Sequence, residues 1–379
     1  MPNEMRILQV NSATGWSGGQ AQVFFLAKGL MERGHKVWIA CPENSVLKKR
    51  AQDAGILVEP VPMASEADIP SIKDLYKIMK RHGIQVVNAH KPLPFTLSSP
   101  AAFFAKVPVM VFSRRVSFEL GRNPISRLKW KIFKLDGIIA VSQKIKQELL
   151  RFGYPEGMIE VIYSATDTEL FKPGVKGARI RKELNIPKGA ILVTKVANHF
   201  EWKGHMVFID AAKKICDERE NIYFLVVGNQ TDFTPYMTRK VGAIGLQNRF
   251  FIWGYREDIP EIIAASDVTV NASITGEGLA GVLRESLAMK VPVVSTCVGG
   301  NPEVVLNEKT GLLVKPNDSE LLKSAILRLL DEREFAKGLA EEGYKMVAEK
   351  FSIDAMVEKT ERFYERLLSS RQRGRMIGK

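Results

Sequence analysis

Arg6-Ile-Leu-Gln-Val-Asn11, then Gly15-Trp-Ser-Gly-Gly19, then Val23, Leu26, Ala27 and Leu30, then Lys36-Val-Trp-Ile-Ala-Cys41: the order of these segments decides the fold. The first is a strand-length apolar run and the second a glycine-rich turn. The third spaces apolar residues at i, i+3, i+4 and i+7, one face of a helix over residues 20–33. Gly34 stops that helix and the fourth segment resumes as a strand. A strand, loop, helix and parallel strand in this order open a doubly wound α/β fold.

The same grammar restarts in mid-chain. Residues 190–197 read as a strand, the loop His199-Phe-Glu-Trp-Lys-Gly204 follows, and a helix over 205–218 leads to a strand over 221–228. Further strands are predicted at 85–89, 108–112, 137–141 and 159–162 in the first half. In the second half they fall at 249–253, 268–271, 292–296 and 311–314. Strands alternating with helical stretches predict parallel sheets covered on both faces. The chain therefore reads as two Rossmann-like domains, joined near residues 168–177 where Pro173, Gly174 and Gly177 cluster. Ligands of such sheets bind beyond the carboxyl ends of the strands, so chemistry is expected in strand-to-helix loops facing a central cleft.

Composition agrees with two globular domains: 379 residues, 45% hydrophobic and 26% charged, without low-complexity tracts. Cys41, Cys216 and Cys297 lie far apart and read as small buried hydrophobes rather than a disulfide framework. The N-terminus shows no signal-peptide pattern, and no apolar run reaches the ~20 residues of a spanning helix. A cytoplasmic protein is expected, with the inner face of the cytoplasmic membrane as its margin. The net charge of +13 asks for an anionic partner.

The strongest local signal is Ser273-Ile-Thr-Gly-Glu277-Gly278-Leu279-Ala280-Gly281-Val-Leu-Arg-Glu285. It follows a predicted strand and opens a helix near residues 279–281, whose free N–H groups and dipole suit a phosphate. Glu277 lies in the loop, placed to accept hydrogen bonds from sugar hydroxyls. Glu285, one to two turns into the helix, is placed to grip the two hydroxyls of a ribose. Taken alone, the pair reads as a dipole complement and a surface residue.

The segment resembles the Glu-x7-Glu motif of retaining glycosyltransferases of the GT-B fold, in family 4. The resemblance extends through Asp136-Gly-Ile-Ile-Ala-Val-Ser142, Gly254-Tyr255-Arg256-Glu-Asp-Ile259, Val291-Pro-Val-Val-Ser-Thr296, Gly299-Gly-Asn-Pro-Glu303 and Thr310-Gly-Leu-Leu-Val314. It implies two Rossmann-like domains about a cleft: residues 1–168 on the acceptor side, with a last helix (355–379) crossing back onto them, and 169–354 on the donor side. It implies that Lys203, in Val196-Ala-Asn198-His-Phe-Glu-Trp-Lys203-Gly204, binds the donor diphosphate and acts with Glu277 at the reacting centre. Asn198 stands where the family usually has arginine, and Ala280 where it has glycine, so the donor pocket departs from the usual pattern. Tyr255, Arg256, Gly278, Leu279, Ala280, Gly281 and Glu285 complete the expected donor contacts, with Gly18 and Gly19 approaching the donor sugar or acceptor.

His90 closes the strand Val86-Val-Asn-Ala-His90 and resembles an acceptor-contacting histidine, while Arg114 and Arg115 suggest an acceptor carrying negative charge. No metal-ligand spacing appears, so no cofactor is expected beyond a nucleotide diphosphate sugar as substrate, a UDP-sugar foremost. From Arg114 to Lys134 seven Lys/Arg stand against one acid, with Trp130, Ile132 and Phe133 among them. Such a stretch suits an anionic membrane surface and, in relatives that modify lipid-linked acceptors, occupies the first domain. The expected activity is transfer of a hexose-type sugar, with retention, to an anionic or lipid-linked glycan in cell-envelope polysaccharide or lipopolysaccharide synthesis. The alternative is a non-catalytic basic protein of the same fold that binds nucleotides or anionic lipid. Nucleic acid is not expected as a partner. An inverting epimerase or hydrolase is disfavoured by Glu-x7-Glu.

Overall fold

A computed structural model describes residues 4–117 and 134–377, with side chains to residue 371. The chain divides into two compact units, residues 1–165 with 353–379, and residues 166–352. The basic stretch between Arg115 and Lys134 lies almost wholly outside the described residues.

The first unit holds β1 (Arg6–Val10), β2 (Lys36–Cys41), β3 (Leu57–Pro60), β4 (Val86–Ala89), β5 (Val109–Arg114), β6 (Gly137–Ala140) and β7 (Ile159–Val161). They form one parallel sheet in the order β3-β2-β1-β4-β5-β6-β7. The predicted strands are present, and β3 is an addition. It is a half-exposed four-residue edge strand ending in Pro60, too short and too little apolar to announce itself. Helix boundaries follow local chemistry. Ser142 Oγ accepts the N–H of Ile145 at the start of Gln143–Phe152, and Gly153 ends that helix in the left-handed region.

The last helix, Ile353–Ile377, belongs to this unit. Met356, Val357, Phe363 and Tyr364 are buried on it among Val23, Leu26, Leu30 and Val111. Its Glu361 bonds His35 at 2.9 Å and Arg33 at 3.0 Å, so a polar clamp flanks the apolar seam. The helix runs on through Arg371–Arg375 beyond its last buried residues. Apolar spacing marks where a helix packs, not where it stops.

The second unit holds β8 (Ile191–Val196), β9 (Ile222–Val227), β10 (Phe250–Trp253), β11 (Val268–Asn271), β12 (Val293–Thr296) and β13 (Leu312–Val314), parallel in the order β10-β9-β8-β11-β12-β13. Strand β9 shows why these runs are apolar throughout. Phe224 and Val226 face Phe208, Ile215 and Phe250, while Leu225 and Val227 face Ile180, Leu184 and Ile262. Both faces are covered, and each such ring or branched chain contributes roughly 1.5–3 kcal/mol of burial.

In each sheet the strand order reverses once, between β1 and β4 and between β8 and β11. Crossovers leave in opposite directions on either side of such a point and open a crevice there.

Candidate functional site

At the β8/β11 reversal, two glycines bring three loops together. Gly204 has φ +69°, and a Cβ on it would fall 1.8 Å from the carbonyl oxygen of Ala272. Gly299 has φ +56°, and a Cβ there would fall 1.7 Å from the carbonyl oxygen of Glu277. Only glycine permits both the conformation and the approach. The loops after β8 and β12 thereby close on the loop after β11.

Lys203 and Glu277 meet as a result, Nζ to Oε1 at 2.6 Å, and the ammonium also lies 4.1 Å from the centre of the Trp202 ring. Ser273 Oγ donates to the same oxygen at 2.6 Å and Asn271 Nδ2 at 3.3 Å. All three bonds end on Oε1, and Oε2 takes none of them. Burial pushes the Glu277 carboxyl up, but the Lys203 charge with the Lys203, Ser273 and Asn271 hydrogen bonds holds it below the ordinary range. Asn301, fully buried, ties the loops further: its Nδ2 donates to Asn271 Oδ1 at 3.3 Å, and its Oδ1 accepts the N–H of Ala280 at 3.3 Å.

The helix Gly281–Ala288 begins directly beyond Ala280, whose side chain offers no acceptor to the first-turn N–H groups. Gly278, Leu279 and Ala280 are buried on the way into it. Glu285, part-buried, folds back so that its Oε1 lies 3.1 Å from where a Cβ on Gly281 would stand. Burial pushes its carboxyl up, and the Arg284 charge offsets this only in part. Its carboxylate accepts no hydrogen bond from the described residues. The result is a cation, a fixed carboxylate, a helix N-terminus and a second carboxylate along one rim.

Asn198 does not face this rim with a free side chain. Its Oδ1 accepts both the N–H and the Nδ2 of Asn229 at 3.1 Å, joining the loops after β8 and β9. Tyr255 and Arg256 follow β10, two strands from β8. Tyr255 is exposed, while Arg256 makes four hydrogen bonds to Glu183 and Asp258, which hold its pKa above the ordinary value.

At the β1/β4 reversal, Gly18 and Gly19 open the helix Gly18–Glu32. Apart from chain neighbours and their own helix backbone, no atom of the described residues lies within 4 Å of a Cβ on Gly18, and only Ser17 Oγ, at 3.9 Å, approaches one on Gly19. The protein's own packing does not require glycine at either position, and the backbone there is left clear. His90 is buried with both ring nitrogens engaged: Nε2 meets Gln9 Oε1 at 2.6 Å, and Arg115 Nη2 approaches Nδ1 at 3.3 Å. An amide oxygen on one side and a guanidinium on the other place the ring proton on Nε2. Burial, then the Arg115 charge, keeps His90 neutral, well below its usual pKa. Arg115 Nη1 also donates to Ser164 Oγ at 3.2 Å.

Arg114 is the buried last residue of β5, and its charge lies in the field of Glu148 and Tyr154. Arg115, just beyond the strand, engages His90 and Ser164, so the two arginines are set among different partners. Sequence reading passed over Asn271, Ser273, Asn301 and Lys195. Lys195 carried the plainest signal, a charge inside the apolar strand Ile191-Leu-Val-Thr-Lys195-Val. Among the described residues no group of three or more His, Cys, Asp or Glu stands in metal-binding geometry, and no helix is long and apolar enough to cross a membrane.

Comparison with known proteins adds the following. The family profile described as glycosyl transferases group 1 matches residues 177–346, and that described as glycosyltransferase family 4 matches residues 16–170. The chain is 27% identical over 277 residues to the Escherichia coli UDP-Gal:alpha-D-GlcNAc-diphosphoundecaprenol alpha-1,3-galactosyltransferase, covering 70% of this chain and 71% of that protein. It superposes on the crystal structure of a Rickettsia africae glycosyltransferase with a TM-score of 0.85 at 26% identity, covering 97% of this chain and 99% of the other. Anabaena HepE in complex with UDP and glucose superposes with a TM-score of 0.84 at 20% identity, covering 96% and 100%.

Proposed function

Because the chain belongs to the group 1 glycosyltransferases of family 4, we propose that it transfers a hexose-type sugar from a nucleotide diphosphate sugar to an anionic or lipid-linked glycan, with retention. The observation that carries this reading is the Lys203–Glu277 pair at the β8/β11 reversal, with Glu277 Oε2 left clear of the three bonds that fix Oε1.

The chemistry follows from those groups. The C1–O bond to the diphosphate breaks, a C1–O bond to the acceptor oxygen forms on the same face, and the acceptor proton passes to a diphosphate oxygen. No protein base is required. Charge builds on the leaving diphosphate, where the Lys203 ammonium and the first-turn N–H groups of Gly281–Ala288 stabilise it. Glu277 accepts from sugar hydroxyls through Oε2, and Glu285 accepts from the ribose. These two carboxylates orient the donor and leave the charge stabilisation to Lys203 and the amides. In the first unit, Gly18 and Gly19 leave backbone clear for a ligand, and the neutral His90 held by Arg115 lines the acceptor side. Arg114 and Arg256 keep to their own partners in this scheme.

The UDP of the Anabaena complexes and the UDP-galactose of the E. coli relative favour a UDP-sugar as donor. The diphosphoundecaprenol acceptor of the latter favours a lipid-linked acceptor at the inner face of the cytoplasmic membrane, and the charge of +13 suits such a surface. The test is proton NMR of the glycoside formed from UDP-glucose, UDP-galactose or UDP-N-acetylglucosamine with a diphosphate-linked lipid glycan. The expected product keeps the α configuration of the donor. A β product overturns the retaining reading, and no nucleoside diphosphate release from any of the three overturns the choice of donor.

A further inference from the structure

Strand β8 carries a lysine where a core residue belongs. Ile191 and Val193 face the helix His205–Glu218, and the strand period places Lys195 on that same face. Lys195 is fully buried, and its Nζ has no hydrogen-bond partner among the described residues. The charged and titratable groups around it come from every neighbouring element: Lys203 and His199 from the loop after β8, His205 from the helix above, and Glu277 from the loop after β11. His205 Nε2 bonds the carbonyl oxygen of Asn198 at 2.9 Å, which leaves Nδ1 as a bare acceptor, also buried and unpartnered.

A buried amine without an acceptor is among the costliest things a core can hold, and methionine would fill the same space without that penalty. Residues that break packing rules in this way cluster at functional sites. We propose that Lys195 is a positioning residue of the donor site, the buried amine that keeps Glu277 ionised and in place when Lys203 turns to the donor diphosphate.

This rests on the donor reading above. Without donor, Lys203 neutralises Glu277 directly. Burial, then the Lys203 charge, press the Lys195 amine down to about 7, with Glu277 opposing them. Donor binding draws Lys203 toward the phosphates and adds negative charge to the cluster. The ammonium form of Lys195 becomes favoured, and the amine takes up a proton from solvent. The sign is fixed: donor binds more tightly below the pKa of the free-state amine and more weakly as pH rises through it.

The test is isothermal titration calorimetry of the full chain with UDP-glucose, GDP-mannose and ADP-glucose in turn, in phosphate and in Tris at pH 7.5. A sugar esterifies the terminal phosphate, so these ligands lack the group that titrates near pH 6 in a free phosphomonoester. Wild type is expected to take up roughly half a proton per donor bound, read as different apparent enthalpies in the two buffers. Lys195→Met is expected to abolish that difference, to weaken binding roughly tenfold at pH 6.5, and to melt without ligand at the same temperature as wild type or higher. A merely structural lysine would lower the melting temperature and leave proton uptake unchanged. Equal wild-type enthalpies in the two buffers overturn the proposal without recourse to the variant. So does proton uptake that persists in Lys195→Met. If none of the three nucleotide sugars binds wild type, the donor reading itself falls, and this proposal with it.

Discussion

Lys203→Ala is expected to lower kcat/KM for donor turnover by about a hundredfold to a thousandfold, the loss that accompanies removal of one fixed donor to a developing negative charge. In the free protein the Lys203 ammonium is held by Glu277 at 2.6 Å and by the Trp202 ring, and it turns from Glu277 to the diphosphate when donor binds. The same substitution reports on the pair in a second way. In wild type the Glu277 pKa is depressed, so its contribution to stability is present above the ordinary carboxylate value of about 4 and is lost as pH falls through the folded value. Without Lys203, burial raises that pKa against only the Ser273 and Asn271 hydrogen bonds and the Lys195 amine, which is only partly protonated at neutral pH, so the ionised carboxylate destabilises the variant there. The difference in melting temperature between wild type and Lys203→Ala should therefore be largest near pH 7 and shrink toward pH 4.5. A difference independent of pH would show that the two side chains are not coupled.

Gly299→Ala is expected to cost roughly 2–4 kcal/mol of stability, from strain at a left-handed position added to a steric clash. The new Cβ cannot stay 1.7 Å from the Glu277 carbonyl oxygen, and the neighbour that must yield is the backbone of the functional loop. Activity should fall with stability because Glu277 moves with that loop. Gly338→Ala supplies the control. It lies in the helix Arg333–Lys350 with no atom of the described residues, its own helix backbone and chain neighbours aside, within 4 Å of its Cβ position, so alanine there should be neutral or stabilise by up to about 1 kcal/mol. Urea titrations of both variants, with donor turnover measured beside them, check the pair. Equal midpoints for Gly299→Ala and wild type would contradict the account of how the three loops are joined.

The two sheets were legible because parallel strands buried on both faces are continuous apolar runs between glycine-rich turns, as in Ile191-Leu-Val-Thr and Ile222-Tyr-Phe-Leu-Val-Val. Strand β3 was not, since an edge strand that buries little carries little pattern. Glu277 and the helix start near Gly281 were legible from their order along the chain, and Lys203 from the family resemblance of its loop. That Asn271 and Ser273 would bond the Glu277 carboxylate, with Asn301 holding Asn271 from the loop after β12, was not, because bonds between loops after different strands depend on the strand order. Arg256 shows the opposite limit. A basic residue in a matching motif invites a ligand role, yet Glu183, distant in sequence, supplies its counter-charge. Arg114 and Arg115 together suggest an anionic acceptor in the sequence, yet Arg115 holds His90 and Ser164 while Arg114 lies buried near Glu148 and Tyr154.

The most direct measurement of the central claim is the thermal melt of the full chain, wild type and Glu285→Ala, with UDP-, GDP- and ADP-sugars. Glu285 accepts nothing from the described residues, so its removal should leave the unliganded melt almost unchanged while removing the ribose contact. At a donor concentration of about 100 times Kd, wild type should gain about 2.7 kcal/mol, a rise of several degrees, with one nucleotide preferred. Glu285→Ala should show little or none of that rise. Equal shifts in both proteins, or no shift with any of the three donors, would contradict the assignment of this rim as the nucleotide-sugar site.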